Sequence, residues 1–244
     1  MLTDARVARG SAAYYNERIN KTVEPPPAGG SGPPTNTFTG LPIIVVGMPK
    51  VGTTTITKYF ECSGRYRVSH HLCKPGRSGL SKCGVIIKKN VEAGRLPLTG
   101  IDNFDVYAQL DAWALATRRF FDYRCYMPQV EDLEKLHAQF PNATLILNTR
   151  NVDHWVKSLH SYHKGNMLQQ MIECNITALP AGVGANDTDL KMFYQGHTDN
   201  IQSFVKSHPS HGLVTIDIEN WDAGEILEEV FRINRTCWGH ANKS

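Results

Sequence analysis

The chain has 244 residues, is 41% hydrophobic and carries a formal net charge of +3. That length supports one full core, and a nearly balanced charge implies no nucleic-acid footprint. No apolar run approaches the length of a membrane span, and the N-terminus lacks the apolar core of a signal peptide.

Residues 1–22 are polar with a weak helical pattern, and 24–36 are a Pro/Gly-rich linker that cannot pack a core. This divides the chain into a polar segment at 1–40 and a domain at 41–244 that begins near Leu41. Residues 43–46 are a continuous β-branched run, the mark of a strand buried on both faces. Gly47, Pro49 and Gly52 break it, and 53–60 reads as a helix with Ile56, Tyr59 and Phe60 inward. A short second strand follows at 66–71. Lys74, Arg77 and Lys82 among glycines then mark 73–84 as a basic loop.

Residues 104–110 form a third strand, followed by a helix over 113–121. If Val106 and Ala108 face the helices, Asp105, Tyr107 and Gln109 share the other face. Residues 130–140 are an amphipathic helix ended by Pro141 and Asn142. A buried strand at 143–148 leads to a helix from Asp153 with Trp155, Val156 and Leu159 inward. Residues 175–187 are a loop, 189–207 a helix, 213–218 the last strand and 223–233 the last helix. Strands alternating with helices imply an α/β fold, a doubly wound and mainly parallel sheet with flanking helices. Ligands in such sheets bind beyond the carboxyl ends of the strands, the edge where Lys50 and Arg150 fall.

Two stretches there suit anions. The strand, glycine-bounded loop and helix start at 43–60 form a cradle of unpaired N–H groups backed by a helix dipole. Gly47 and Gly52 have the spacing of G-x-x-x-x-G-K-[ST], yet Thr53 follows the second glycine and the loop's lysine is Lys50. A triphosphate loop places its lysine after that glycine. A lysine inside the loop meets a shorter group, one phosphate with one further leaving anion. In the second stretch Arg150 ends a buried strand, and Ser158 lies eight residues on, inside a helix. A guanidinium binds phosphate through two parallel hydrogen bonds, and a hydroxyl supplies a third.

Pro49-Lys50-Val51-Gly52-Thr53-Thr54-Thr55 resembles the 5′-phosphosulfate loop of sulfotransferases that use 3′-phosphoadenosine 5′-phosphosulfate (PAPS). The Arg150 to Ser158 stretch resembles their 3′-phosphate segment, with Val152 in place of the familiar proline. The resemblance implies the P-loop NTPase-like sulfotransferase fold, PAPS as donor, PAP as product, and no required metal. It puts Lys50 on the bridging oxygen, Val51, Gly52, Thr53, Thr54 and Thr55 around the 5′-phosphate, and Arg150 and Ser158 on the 3′-phosphate. Cytosolic members use a histidine as base, and Golgi carbohydrate members a glutamate about two dozen residues after the lysine. Here His70 and His71 fall twenty and twenty-one residues after Lys50, at a strand end. His70 is the first candidate, His71 the second, and Asp105 and Asp111 are rivals; Glu61 is too close to the loop helix.

The six cysteines show no C-x-x-C pair. Cys73 and Cys83 flank the basic loop and either close it as a disulfide or remain reduced and buried. Asn-x-Ser/Thr at Asn20, Asn142, Asn175, Asn186, Asn234 and Asn242 points to a glycoprotein of the Golgi lumen, its membrane anchor missing from this chain. A cytoplasmic enzyme with idle sequons is the alternative. A carbohydrate hydroxyl acceptor fits the first, a small alcohol or phenol the second. Two competing functions stand: a P-loop kinase or nucleotide hydrolase with Asp217 holding magnesium, and a non-catalytic nucleotide-binding protein.

Overall fold

The structure is a computed structural model that describes residues 36–74, 81–113, 125–174, 176, 179, 184 and 186–239. The segment at 1–35, Arg77, the helix expected beyond Trp113, and the sequons at Asn20, Asn175 and Asn242 lie outside them.

Among the described residues, five strands form one parallel sheet in the order β2-β3-β1-β4-β5. They are β1 (Ile43–Val45), β2 (Val68–Ser69), β3 (Val106–Tyr107), β4 (Thr144–Thr149) and β5 (Gly212–Asp217). The helices are α1 (Thr53–Cys62), α2 (Cys83–Glu92), α3 (Pro128–Glu131), α4 (Leu133–Gln139), α5 (Val152–Ser161), α6 (Asn166–Glu173), α7 (Asp187–Ser207) and α8 (Ala223–Phe231). This is the doubly wound α/β architecture expected from the alternation of strands and helices. Residues 36–40, ahead of Leu41, are already packed: the Asn36 N–H donates to the Leu213 carbonyl, and Phe38 meets Phe231 edge-on at 6.0 Å.

The apolar runs explain the central strands. Ile43, Ile44 and Val45 in β1 and Leu145 to Leu147 in β4 are buried on both faces. One face carries α1 and α8, joined through the Phe60 and Phe231 rings at 5.0 Å. Towards the other, Ile44 and Leu145 share a small cavity with Leu133 and Leu136 of α4 and Phe204 of α7.

Several local expectations change. Val106, Tyr107 and Ala108 are all buried, so the face shared by Asp105, Tyr107 and Gln109 is covered at Asp105 and Tyr107 as fully as the face of Val106 and Ala108. The amphipathic run at 130–140 breaks into α3 and α4 at Asp132, whose carboxylate accepts from the Tyr126 hydroxyl and pairs with Lys135, each at 2.5 Å. The end of the expected basic loop is the start of α2. Gly84 lets its first turn lie against the backbone of 110–112, where a Cβ would stand 2.5 Å from the Leu110 carbonyl oxygen.

All six cysteines are paired, as Cys62–Cys237, Cys73–Cys83 and Cys125–Cys174. Of the two states left open for Cys73 and Cys83, the structure holds the disulfide, with Cα atoms 4.8 Å apart. Thiol titration of the denatured, unreduced protein is expected to find no free thiol, and all six after reduction; free thiols before reduction would contradict the pairing. Among the described residues no helix is long and apolar enough to cross a membrane.

Candidate active site

From β1 the chain turns toward β2, and from β4 toward β5, so a crevice opens between the carboxyl ends of these two neighbours. The 47–52 loop leaves β1 into this crevice. Its backbone is held from behind. The Val46 carbonyl accepts from His197 Nε2 (2.7 Å), Gly47 from Gln129 Nε2 (3.4 Å) and Pro49 from Trp155 Nε1 (2.8 Å). Lys50 accepts from an Arg150 guanidinium nitrogen (3.3 Å), and Val51 from Asn148 Nδ2 (2.6 Å). Four of these carbonyls are tied to residues outside the loop, and the Lys50 carbonyl to Arg150 at its crevice side.

Two left-handed residues shape this turn, Lys50 at φ 71° and Gly52 at φ 84°. Such alternation makes an anion-binding concavity, and a lysine held there carries backbone strain. Gly47 is required for another reason, since a Cβ would stand 2.2 Å from Asn148 Oδ1. Gly52 starts α1 with no side-chain cap and no acidic residue in the first turn, which leaves the helix dipole open to an anion. Thr53 and Thr54 are half-buried at this end. Thr55 is buried, and its N–H closes on the Gly52 carbonyl at 2.9 Å.

The Lys50 ammonium lies 3.6 Å from the centre of the Tyr162 ring. Burial, and then the neighbouring Arg150 charge, lower its pKa. His70 follows β2 at the same edge, with Nε2 3.4 Å from Thr53 Oγ1. Burial first, and then His71, push His70 down to about 4. His71 is exposed, its Nδ1 3.3 Å from His70 Nδ1.

The two rival carboxylates stand elsewhere. Asp105 precedes β3, at the amino edge of the sheet, and accepts from the Arg67 N–H at 2.8 Å. Asp111 is buried behind Gln109, which donates to it at 3.2 Å. Asp217 ends β5, separated from β1 by β4, and accepts from the Glu219 N–H at 2.9 Å.

Arg150 reaches the crevice from β4. Its partner is Glu219, which accepts from Nε at 3.1 Å and from a terminal nitrogen at 2.5 Å. Asp153, three residues on from Arg150, pairs instead with Lys191 at 2.6 Å. Glu219 also accepts from the Asn151 N–H and lies 2.9 Å from His154 Nδ1. Ser158 is half-buried on α5. Helical spacing sets it on the stripe between Trp155 and Tyr162, both of which touch the loop.

The crevice therefore gathers Lys50, the loop N–H groups, Thr53, His70 and Arg150. Sequence reading missed Asn148, Trp155, Gln129 and His197, which hold the loop, together with Glu219 and Tyr162. A model of the sulfotransferase domain matches residues 42–222, more than half of the chain and every residue just named. No curated protein matches the chain significantly.

Proposed function

The chain belongs to the sulfotransferase domain family, and from that premise we propose that it moves a sulfuryl group from PAPS to an acceptor hydroxyl. The observation that carries this reading is the loop held by Asn148 and Trp155 through its Val51 and Pro49 carbonyls, with Lys50, Arg150 and, through Thr53, His70 gathered around it. When bound, the donor supplies an SO3 unit on a 5′-phosphate. Lys50, Val51, Gly52, Thr53, Thr54 and Thr55 surround that phosphate; Arg150 and Ser158 take the 3′-phosphate. As the S–O bond to the phosphate breaks, charge grows on the bridging oxygen, and Lys50 meets it there. His70 accepts the acceptor's hydroxyl proton as the new O–S bond forms. The products are the sulfate ester, PAP and one proton.

A carbohydrate hydroxyl in the Golgi lumen is the acceptor and compartment we favour. Three disulfides suit an oxidising compartment, and the sequon residues Asn142, Asn186 and Asn234 are exposed. A screen with labelled donor against sugars, phenols and small alcohols tests the reading. Transfer to none of them, with PAP still bound, would leave a non-catalytic nucleotide-binding protein.

The pH profile gives a sharper check. A base must be neutral to accept a proton, and a lowered pKa keeps His70 neutral to lower pH. With His70 near 4, kcat/KM is expected to stay flat from about pH 8 to about pH 5, then fall. An acid limb near 6.5, the ordinary histidine value, would speak against His70 in this setting.

A further inference from the structure

Asp111 is a buried carboxylate that the proposed chemistry does not use, and it sits one hydrogen bond behind the crevice. Gln109 joins them. Its Nε2 donates to Asp111 Oδ2 at 3.2 Å, and its Oε1 accepts from Thr53 Oγ1 at 3.2 Å. His70 Nε2 is 3.4 Å from the same Thr53 oxygen. The segment is fixed on both sides. The Ala108 N–H donates to the Ser69 carbonyl at 3.0 Å, holding 108–109 beside His70. Residues 110–112 lie against α2 at Gly84.

We propose that Gln109 and Asp111 are positioning residues that set the tautomer of His70; the catalytic purpose of this rests on His70 being the base. An ionised carboxylate only accepts. The Gln109 amide must therefore turn its NH2 to Asp111 and its oxygen to Thr53. That oxygen only accepts, so the Thr53 hydroxyl gives it its one proton, and Thr53 Oγ1 in turn accepts from His70 Nε2, which carries the proton. Nδ1, which lies 3.3 Å from the Nδ1 of exposed His71, is left with the lone pair; the acceptor's hydroxyl must displace His71 there to give up its proton. The other ionisable groups of the cluster are His71 and Lys82, whose ammonium donates to the Trp113 carbonyl at 2.5 Å. Burial pushes Asp111 up to about 6, with Gln109 and Lys82 opposing the rise; below that pH the neutral carboxyl still accepts from Gln109 Nε2 through its carbonyl oxygen, so the order of donors persists as Asp111 protonates.

The test is 15N-histidine NMR of His70 in the whole protein, beside turnover. The wild type is expected to show the Nε2–H tautomer. Gln109→Leu should mix the tautomers and lower kcat about tenfold with donor KM unchanged. The double variant Gln109→Glu with Asp111→Asn keeps the net charge but moves the carboxylate next to His70. It should raise the His70 pKa by about one unit or more. Thermal melts establish that each variant is folded, and if Gln109→Leu is not, the double variant decides. An unchanged tautomer and pKa in the folded variants, with His70→Ala inactive, overturns the relay alone. Wild-type turnover by His70→Ala overturns the base assignment and the catalytic purpose of the relay with it.

Discussion

Replacing Lys50 with alanine is expected to lower turnover about 10²–10³-fold, with a much smaller change in donor affinity. That is the cost of removing one preorganised donor at developing charge. Lys50 is suited to that task. Its ammonium is desolvated and rests on the Tyr162 ring, and its backbone is fixed by the Arg150 bond to its carbonyl. Alanine carries the same Cβ at φ 71°, so the backbone cost is unchanged and the cradle should survive. Lys50→Met, which fills the space over Tyr162 without the charge, should lose as much turnover as Lys50→Ala. Single-turnover kinetics with PAPS, alongside PAP binding, make the comparison. If turnover survives and only donor affinity falls, Lys50 binds the donor and does not act on the chemical step.

That Lys50, His70 and Arg150 share one edge could be read from the sequence because each follows a strand, and a parallel sheet puts all its carboxyl ends on one edge. The same logic placed the buried strands, whose apolar runs leave no solvated face. What holds the loop was not legible. Asn148, Trp155, Gln129 and His197 are 82 to 151 residues away in sequence from the carbonyls they bond, and no local pattern marks such pairs. Asn148 gave one clue, a polar residue at the end of a buried strand. Glu219 gave none, since its partner Arg150 lies 69 residues earlier. The helix α2 was missed: its first two residues, Cys83 and Gly84, closed the expected basic loop at 73–84, and Lys88 and Lys89 cut short the apolar run of Val85, Ile86 and Ile87, so 85–92 drew no assignment. Asp111 was visible as a carboxylate near the third strand, but only the fold shows Gln109 standing between it and the crevice.

Wild-type protein is expected to bind 3′,5′-adenosine bisphosphate more tightly than 5′-adenosine monophosphate, and Arg150→Ala to erase most of that preference. The loss should be about 10–150-fold, the equivalent of about 1.5–3 kcal/mol for a charge-assisted pair. Arg150 is preordered for this. Glu219 holds Nε and one terminal nitrogen, and the Lys50 carbonyl takes the other. Its peptide N–H and C=O are both bonded to the Tyr194 hydroxyl, at 2.9 and 3.1 Å. A guanidinium so fixed loses little freedom when an anion arrives. Glu219 also competes, because its carboxylate already accepts from Arg150 and from the Asn151 N–H at the start of α5. Glu219→Gln therefore serves as the control: the neutral amide still accepts from Arg150, so the preference for the bisphosphate should persist. Monophosphate affinity reports on the 47–52 loop: it should change little in Glu219→Gln, and in Arg150→Ala, which also loses the bond to the Lys50 carbonyl, it should fall by less than bisphosphate affinity does. Calorimetric titration with the two nucleotides separates these terms. Equal affinity of the wild type for both would remove Arg150 and Ser158 from the 3′-phosphate, whatever the variants do.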